Sequence, residues 1–131
     1  MMKRLIFAFL MIAMFSAGAL LQTGQAENLR RDQAVVDFPD TVKLLDVLLK
    51  GRYVVVHDDE KKAQGLPCLY VYNFKNGKAG DLVVSFHCQR VARPMADKFF
   101  VRVTSRRTPF DVPEIQEIQF AGSADGHGVH Q

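Results

Sequence analysis

Cys68-Leu69-Tyr70-Val71-Tyr72-Asn73-Phe74 and Leu82-Val83-Val84-Ser85-Phe86-His87-Cys88 decide the fold. Both stretches are rich in β-branched and aromatic residues. Between them lies Lys75-Asn76-Gly77-Lys78-Ala79-Gly80-Asp81, with an Asn-Gly step and a second glycine. Such chemistry favours a turn joining two strands. With Cys68 set opposite Cys88 in an antiparallel hairpin, Tyr70 faces Phe86, Tyr72 faces Val84 and Phe74 faces Leu82. One face then carries a continuous ladder of apolar cross-strand pairs. Register, hydrophobic pattern and cysteine placement agree on one arrangement.

The chain has no other cysteine. A Cys68–Cys88 disulfide closes a loop of about 20 residues, which contributes on the order of 3 kcal/mol by restricting the unfolded chain. A directly cross-strand bond can be strained, so slightly offset positions are the alternative. Redox catalysis has little support, since there is no Cys-x-x-Cys and nothing acidifies either thiol.

Further strands flank the hairpin. Residues 52–57 (R-Y-V-V-V-H) are β-branched. Residues 98–105 (K-F-F-V-R-V-T-S) place Phe99, Val101 and Val103 on one face, and residues 115–121 point Ile118 and Phe120 inward. Residues 40–50 read two ways. Lys43, Asp46 and Lys50 fall at helical spacing, with Asp40 as N-cap and Gly51 beyond the end. Residues 48–54 (L-L-K-G-R-Y-V) also read as a tight hairpin bending at Lys50-Gly51, and this is the preferred reading. Residues 58–65 (D-D-E-K-K-A-Q-G) suit a single helical turn, acids first and glycine last. Residues 92–97 and 107–114 contain prolines and read as connections. The expected fold is therefore all-β: a small antiparallel barrel or sandwich of five to six strands, with one short helical turn and one disulfide.

The start of the chain points to export. Lys3 and Arg4 precede an apolar run over residues 5–21, and Gly24 and Ala26 supply small residues for a cut after Ala26. This is the pattern of a signal peptide over residues 1–26. Residues 27–131 then form a single β domain with a C-terminal tail after Gly122 that is small and polar, and mobile at its end. Lys3 and Arg4 leave with the leader, taking 17 basic residues to 15 against 14 acidic. A near-neutral domain gives no electrostatic case for nucleic acid, and no transmembrane segment is expected after cleavage. The implied location is periplasmic or extracellular.

Gly51-x-Tyr53-Val54-Val55-Val56-His57-Asp58-Asp59-Glu60, Pro67-Cys68-Leu69-Tyr70-Val71-Tyr72, Ser85-Phe86-His87-Cys88 and the closing run Glu117-Ile118-Gln119-Phe120-Ala121-Gly122-Ser123-Ala124-Asp125-Gly126-His127 carry a resemblance. Together they make most of the chain after the leader similar to a group of small exported bacterial β-proteins with no assigned activity. The resemblance implies a β fold and a paired-cysteine core, and it implies no catalytic residue.

Candidate chemistry centres on the four histidines. His57 ends a strand and precedes Asp58, Asp59 and Glu60. An imidazole beside carboxylates suits copper or zinc, with His127 or His130 supplied by the tail, although the spacing matches no closed zinc motif. His87 and Cys88 are adjacent and point to opposite faces of a regular strand. His87 therefore reads as half-buried and hydrogen-bonded, and with Tyr70 and Tyr72 it could line a ligand pocket. Ser85 and His87 share a strand face, but no nucleophile elbow or oxyanion loop accompanies them. The first expectation is a non-catalytic binding or interaction module of the cell envelope, with an unknown protein or small ligand as partner and no cofactor. A copper or zinc binder using His57 and the tail histidines is the second, and a small hydrolase the third.

Overall fold

The computed structural model describes residues 29 to 129. The expected leader and His130 lie outside the described residues. β1 (Arg31–Leu44) and β2 (Val47–Asp58) form a long antiparallel hairpin. The hairpin reading of residues 40–50 thus holds in kind, but the chain bends at Leu45-Asp46, and Lys50-Gly51 runs inside β2. Gly51 has φ +90° and pairs with Phe38, at the edge of a register shift spanning Phe38 to Val42. Pro39 lies in that bulge, where a missing N–H does no harm to the ladder. The glycine therefore marks a bulge and not a bend. The Tyr53 hydroxyl serves both the N–H and the C=O of Lys50 at 3.1 Å, satisfying backbone groups next to the irregularity.

Asp58 caps α1 (Asp59–Ala63), its carboxylate accepting from the N–H groups of Glu60 and Lys61. This is the expected helical turn. β3 (Leu69–Lys75) and β4 (Lys78–Phe86) follow, joined by Asn76-Gly77 with φ 52° and 76°. Positive φ at both central residues is the hairpin turn whose twist matches the strands. The four strands form one sheet in the order β1-β2-β3-β4.

The tight turn overturns the expected register. Lys75 pairs with Lys78, Phe74 with Ala79, Tyr72 with Leu82, Val71 with Val84, Tyr70 with Ser85 and Leu69 with Phe86, with two register shifts on the way. Leu69 and Val71 consequently face the core, and the tyrosines face out. Tyr70 packs with Val54 and Val56 in a small outer cluster that Tyr72 and Phe74 extend. The Lys61 ammonium sits 4.2 Å over the Tyr70 ring and the Arg52 guanidinium 5.6 Å from the Phe74 ring.

Cys88 is not a rung of that hairpin. The chain turns a corner at His87 and enters a second sheet, β5-β8-β7-β6, built from β5 (Cys88–Ala92), β6 (Phe100–Val103), β7 (Ile115–Gln119) and β8 (Asp125–Val129). The Cys68–Cys88 disulfide, with 6.1 Å between the Cα atoms, therefore joins the two sheets. Among the described residues there are eight strands instead of five or six. β5 and β8 are the additions, and β8 forms within the polar tail, where no strand is expected from the sequence.

The core lies between the sheets. Leu44, Leu49, Val55, Leu69, Val71 and Phe86 of the first pack against Ile115, Ile118 and Phe120 of the second. The arrangement is a sandwich, and the sheets do not close into a barrel. On the outer face of the second sheet, the buried Glu117 carboxylate is clamped by Arg93 (2.8 Å) and Arg102 (2.6 Å). Arg102 also donates to the Gln119 side chain, which in turn donates to the carbonyls of Pro94 and Ser123.

Candidate functional site

His57 lies on the inner face of β2 by strand parity, two residues from Val55 of the core. His127 occupies β8, paired with Ile118 of β7 and Arg90 of β5. The two imidazoles, one from each sheet, stack with centroids 3.9 Å apart and planes 22° apart. Phe120 closes one side, 6.4 Å from the His57 ring and 5.9 Å from the His127 ring. Cys88 completes the group: its Sγ is 3.8 Å from Nδ1 of His127. One ligand atom from each of His57, Cys88 and His127 lies within 4.8 Å of the others.

The helical turn brings a carboxylate to this group. Asp59 places Oδ1 3.6 Å from Nδ1 of His57, and its Oδ2 accepts from the Arg30 N–H at 3.0 Å. A second bond, from the Asp59 N–H to the Arg30 carbonyl, pins the turn to the strand entry. Above the imidazoles lies a cavity of about 70 Å³ whose rim alternates in charge, with Arg30, Lys62 and Arg90 against Asp32, Asp59 and Asp125. Arg30 pairs with Asp32 at 3.0 Å and Arg90 with Asp125 at 2.7 Å.

Burial sets the protonation of the pair. His57 is 4% exposed and His127 5%. Desolvation disfavours the imidazolium and holds His57 below the ordinary histidine value, against the pull of Asp59 and Asp32. His127 is pushed down to about 4, by burial first and by charge on His57 second. Both rings are therefore neutral at pH 7, each with one free nitrogen lone pair. Neither ring nitrogen of His57 has a hydrogen-bond partner among the described residues.

Of the residues singled out in the sequence, His57 and His127 converge. His87 does not: it is exposed at the corner between the sheets. Tyr70 and Tyr72 line the outer cluster and not the cavity. Ser85, in β4, pairs with Tyr70 of β3 and so shares the outer face, opposite to the one that carries the histidine pair. Cys88 is the neighbour that sequence reading missed, because the assumed hairpin placed it in the wrong sheet. Asp59 had a signal, as part of the acidic run after His57. No family model, curated protein or solved structure matches this chain at a significant level.

Proposed function

We propose that this chain is an exported, non-catalytic binding protein whose ligand is a transition-metal ion, copper or zinc, held by His57 and His127. The observation that supports this is the buried imidazole of His57, with no hydrogen bond at either nitrogen among the described residues, stacked on a second buried imidazole. A buried polar atom left unpaired costs about 1–3 kcal/mol, and a cation bonded there removes that cost. Both rings are neutral, so no proton competes for the lone pair at pH 7. Asp59 adds an anionic oxygen at the same place. Imidazole nitrogens bind zinc through in-plane lone pairs at about 2 Å, so holding one ion between these stacked rings would require at least one of them to reorient. The charged rim keeps the entrance wet and lets an ion arrive without crossing an apolar wall.

Export rests on the leader pattern of residues 1–26, and the disulfide agrees with an oxidising compartment. No helix among the described residues is long and apolar enough to cross a membrane.

The decisive experiment titrates metal-stripped, disulfide-bonded protein with Zn(II) and with Cu(II), followed by calorimetry and elemental analysis. One ion per chain is expected. His57→Ala or His127→Ala weakens binding by at least about tenfold, or ~1.4 kcal/mol, and His87→Ala leaves it unchanged. Unaltered affinity in His57→Ala removes this site from consideration.

A further inference from the structure

The sulfur beside the histidine pair is not an innocent neighbour. Cys88 Sγ reaches within 3.8 Å of His127 Nδ1 yet is bonded to Cys68, and a disulfide sulfur carries no negative charge. A thiolate at the same place is a soft anionic ligand, the kind that selects Cu(I). The two sulfurs also differ in access. Cys68 is 1% exposed, while Cys88 is half-buried and lies next to the histidines.

We propose that the Cys68–Cys88 disulfide is a redox gate on the histidine site: its reduction releases the Cys88 thiolate as a third ligand and converts a two-nitrogen site into a two-nitrogen, one-sulfur site for Cu(I). This inference rests on the metal-binding reading of His57 and His127 and specifies its regulation. A dithiol reductant supplies the electrons. One of its thiolates attacks Cys88 Sγ, the S–S bond breaks and Cys68 leaves as thiolate and takes a proton. The second reductant thiolate then displaces Cys88, closing the reductant's own disulfide. The protein is reduced by two electrons, the reductant is oxidised by two, and Cys88 departs as a thiolate. Binding of Cu(I) to this thiolate, or to the thiol with release of its proton to solvent, forms the Cu–S bond. The disulfide joins the sheets near the end where the imidazoles meet, so reduction frees Cys88 to move toward them without unthreading any strand.

The test uses a water-soluble phosphine in place of the dithiol, removed anaerobically before titration, so that no small thiol competes for metal. The phosphine becomes its oxide and water supplies the oxygen. Cu(I) is titrated in competition with a chromophoric chelator into oxidised protein, reduced protein, and Cys68→Ser, Cys88→Ser and His57→Ala variants. Circular dichroism confirms that each is folded. Reduced protein and Cys68→Ser, which keeps Cys88 free without any reductant, are expected to bind Cu(I) at least about tenfold more tightly than the oxidised form. Cys88→Ser gains nothing on reduction. Equal affinity of oxidised and reduced protein overturns the gate, and so does a gain that survives in Cys88→Ser. These results leave the histidine site standing when His57→Ala still weakens the oxidised form. Insensitivity of the oxidised form to His57→Ala instead removes the underlying site.

Discussion

At the scale of single residues, the His57–His127 stack makes stability depend on pH in a defined direction. A histidine whose pKa is lowered by folding leaves the unfolded chain as the better proton acceptor. Its stabilising contribution is complete above the unfolded value of about 6.5 and drains away as pH falls toward the folded value. For His127 that window runs from about 6.5 down to about 4, and His57 shifts in the same direction. Across that window the loss attributable to His127 is at most about 3.4 kcal/mol. Asp81 and Asp111 have lowered carboxyl values, so their contributions fade at lower pH still. Urea unfolding of metal-free protein from pH 7.5 to 4 should show this fall, and His127→Asn should flatten it. A wild-type and variant difference that stays constant across the range means that the stack does not exclude protons.

At the scale of elements, β8 shows what the sequence conveyed and what it hid. The strands read from β-branched runs are present, as are the helical turn and the pairing of Cys68 with Cys88, because each rests on local chemistry. His57 was visible through its acidic neighbours. The tail was misread because Asp125-Gly126-His127-Gly128 has the composition of a loop, yet it forms a strand between β5 and β7. Its glycines answer long-range demands. A Cβ on Gly126 meets the Glu117 carboxylate at 2.7 Å, and one on Gly128 meets the Gln89 carbonyl oxygen at 3.2 Å. Glycine in a strand marks close approach of another group, which only the fold supplies. The tyrosine ladder failed for a related reason. The two-residue turn at Asn76-Gly77 sets a pairing out of step with the assumed one, and the two shifts further along together leave that parity unchanged, so Phe86 falls opposite Leu69 instead of Tyr70. Gly126→Ala tests the account of β8. Glu117 cannot swing aside easily while Arg93 and Arg102 hold it, so a loss of about 1–3 kcal/mol is expected in urea unfolding. The same substitution in a Glu117→Ala background should cost much less. Equal costs in both backgrounds would show that the carboxylate is not what excludes a side chain.

At the scale of the whole molecule, the two sheets are tied at both ends of the sandwich by different means. Near the β1–β2 turn, the Lys43 N–H donates to the Pro113 carbonyl at 2.9 Å, and Lys43 bridges Glu114. At the far end the ties are the disulfide, the imidazole stack and the one-residue corner at His87. Apolar burial between the sheets holds the middle. Removing the disulfide as a Cys68→Ala, Cys88→Ala pair therefore loosens one end only. The stability lost should be about 3 kcal/mol, from the restored freedom of the unfolded chain. Domains of this size have about 5–15 kcal/mol in hand, so the protein stays folded, as a redox-gated site requires. Amide exchange should locate the change. Protection should drop most around Leu69, β5 and β8, and least around Leu44 and Val47, where the other tie is intact. A uniform drop would mean that the sheets separate as one unit, and reduction would then dismantle the histidine site instead of completing it.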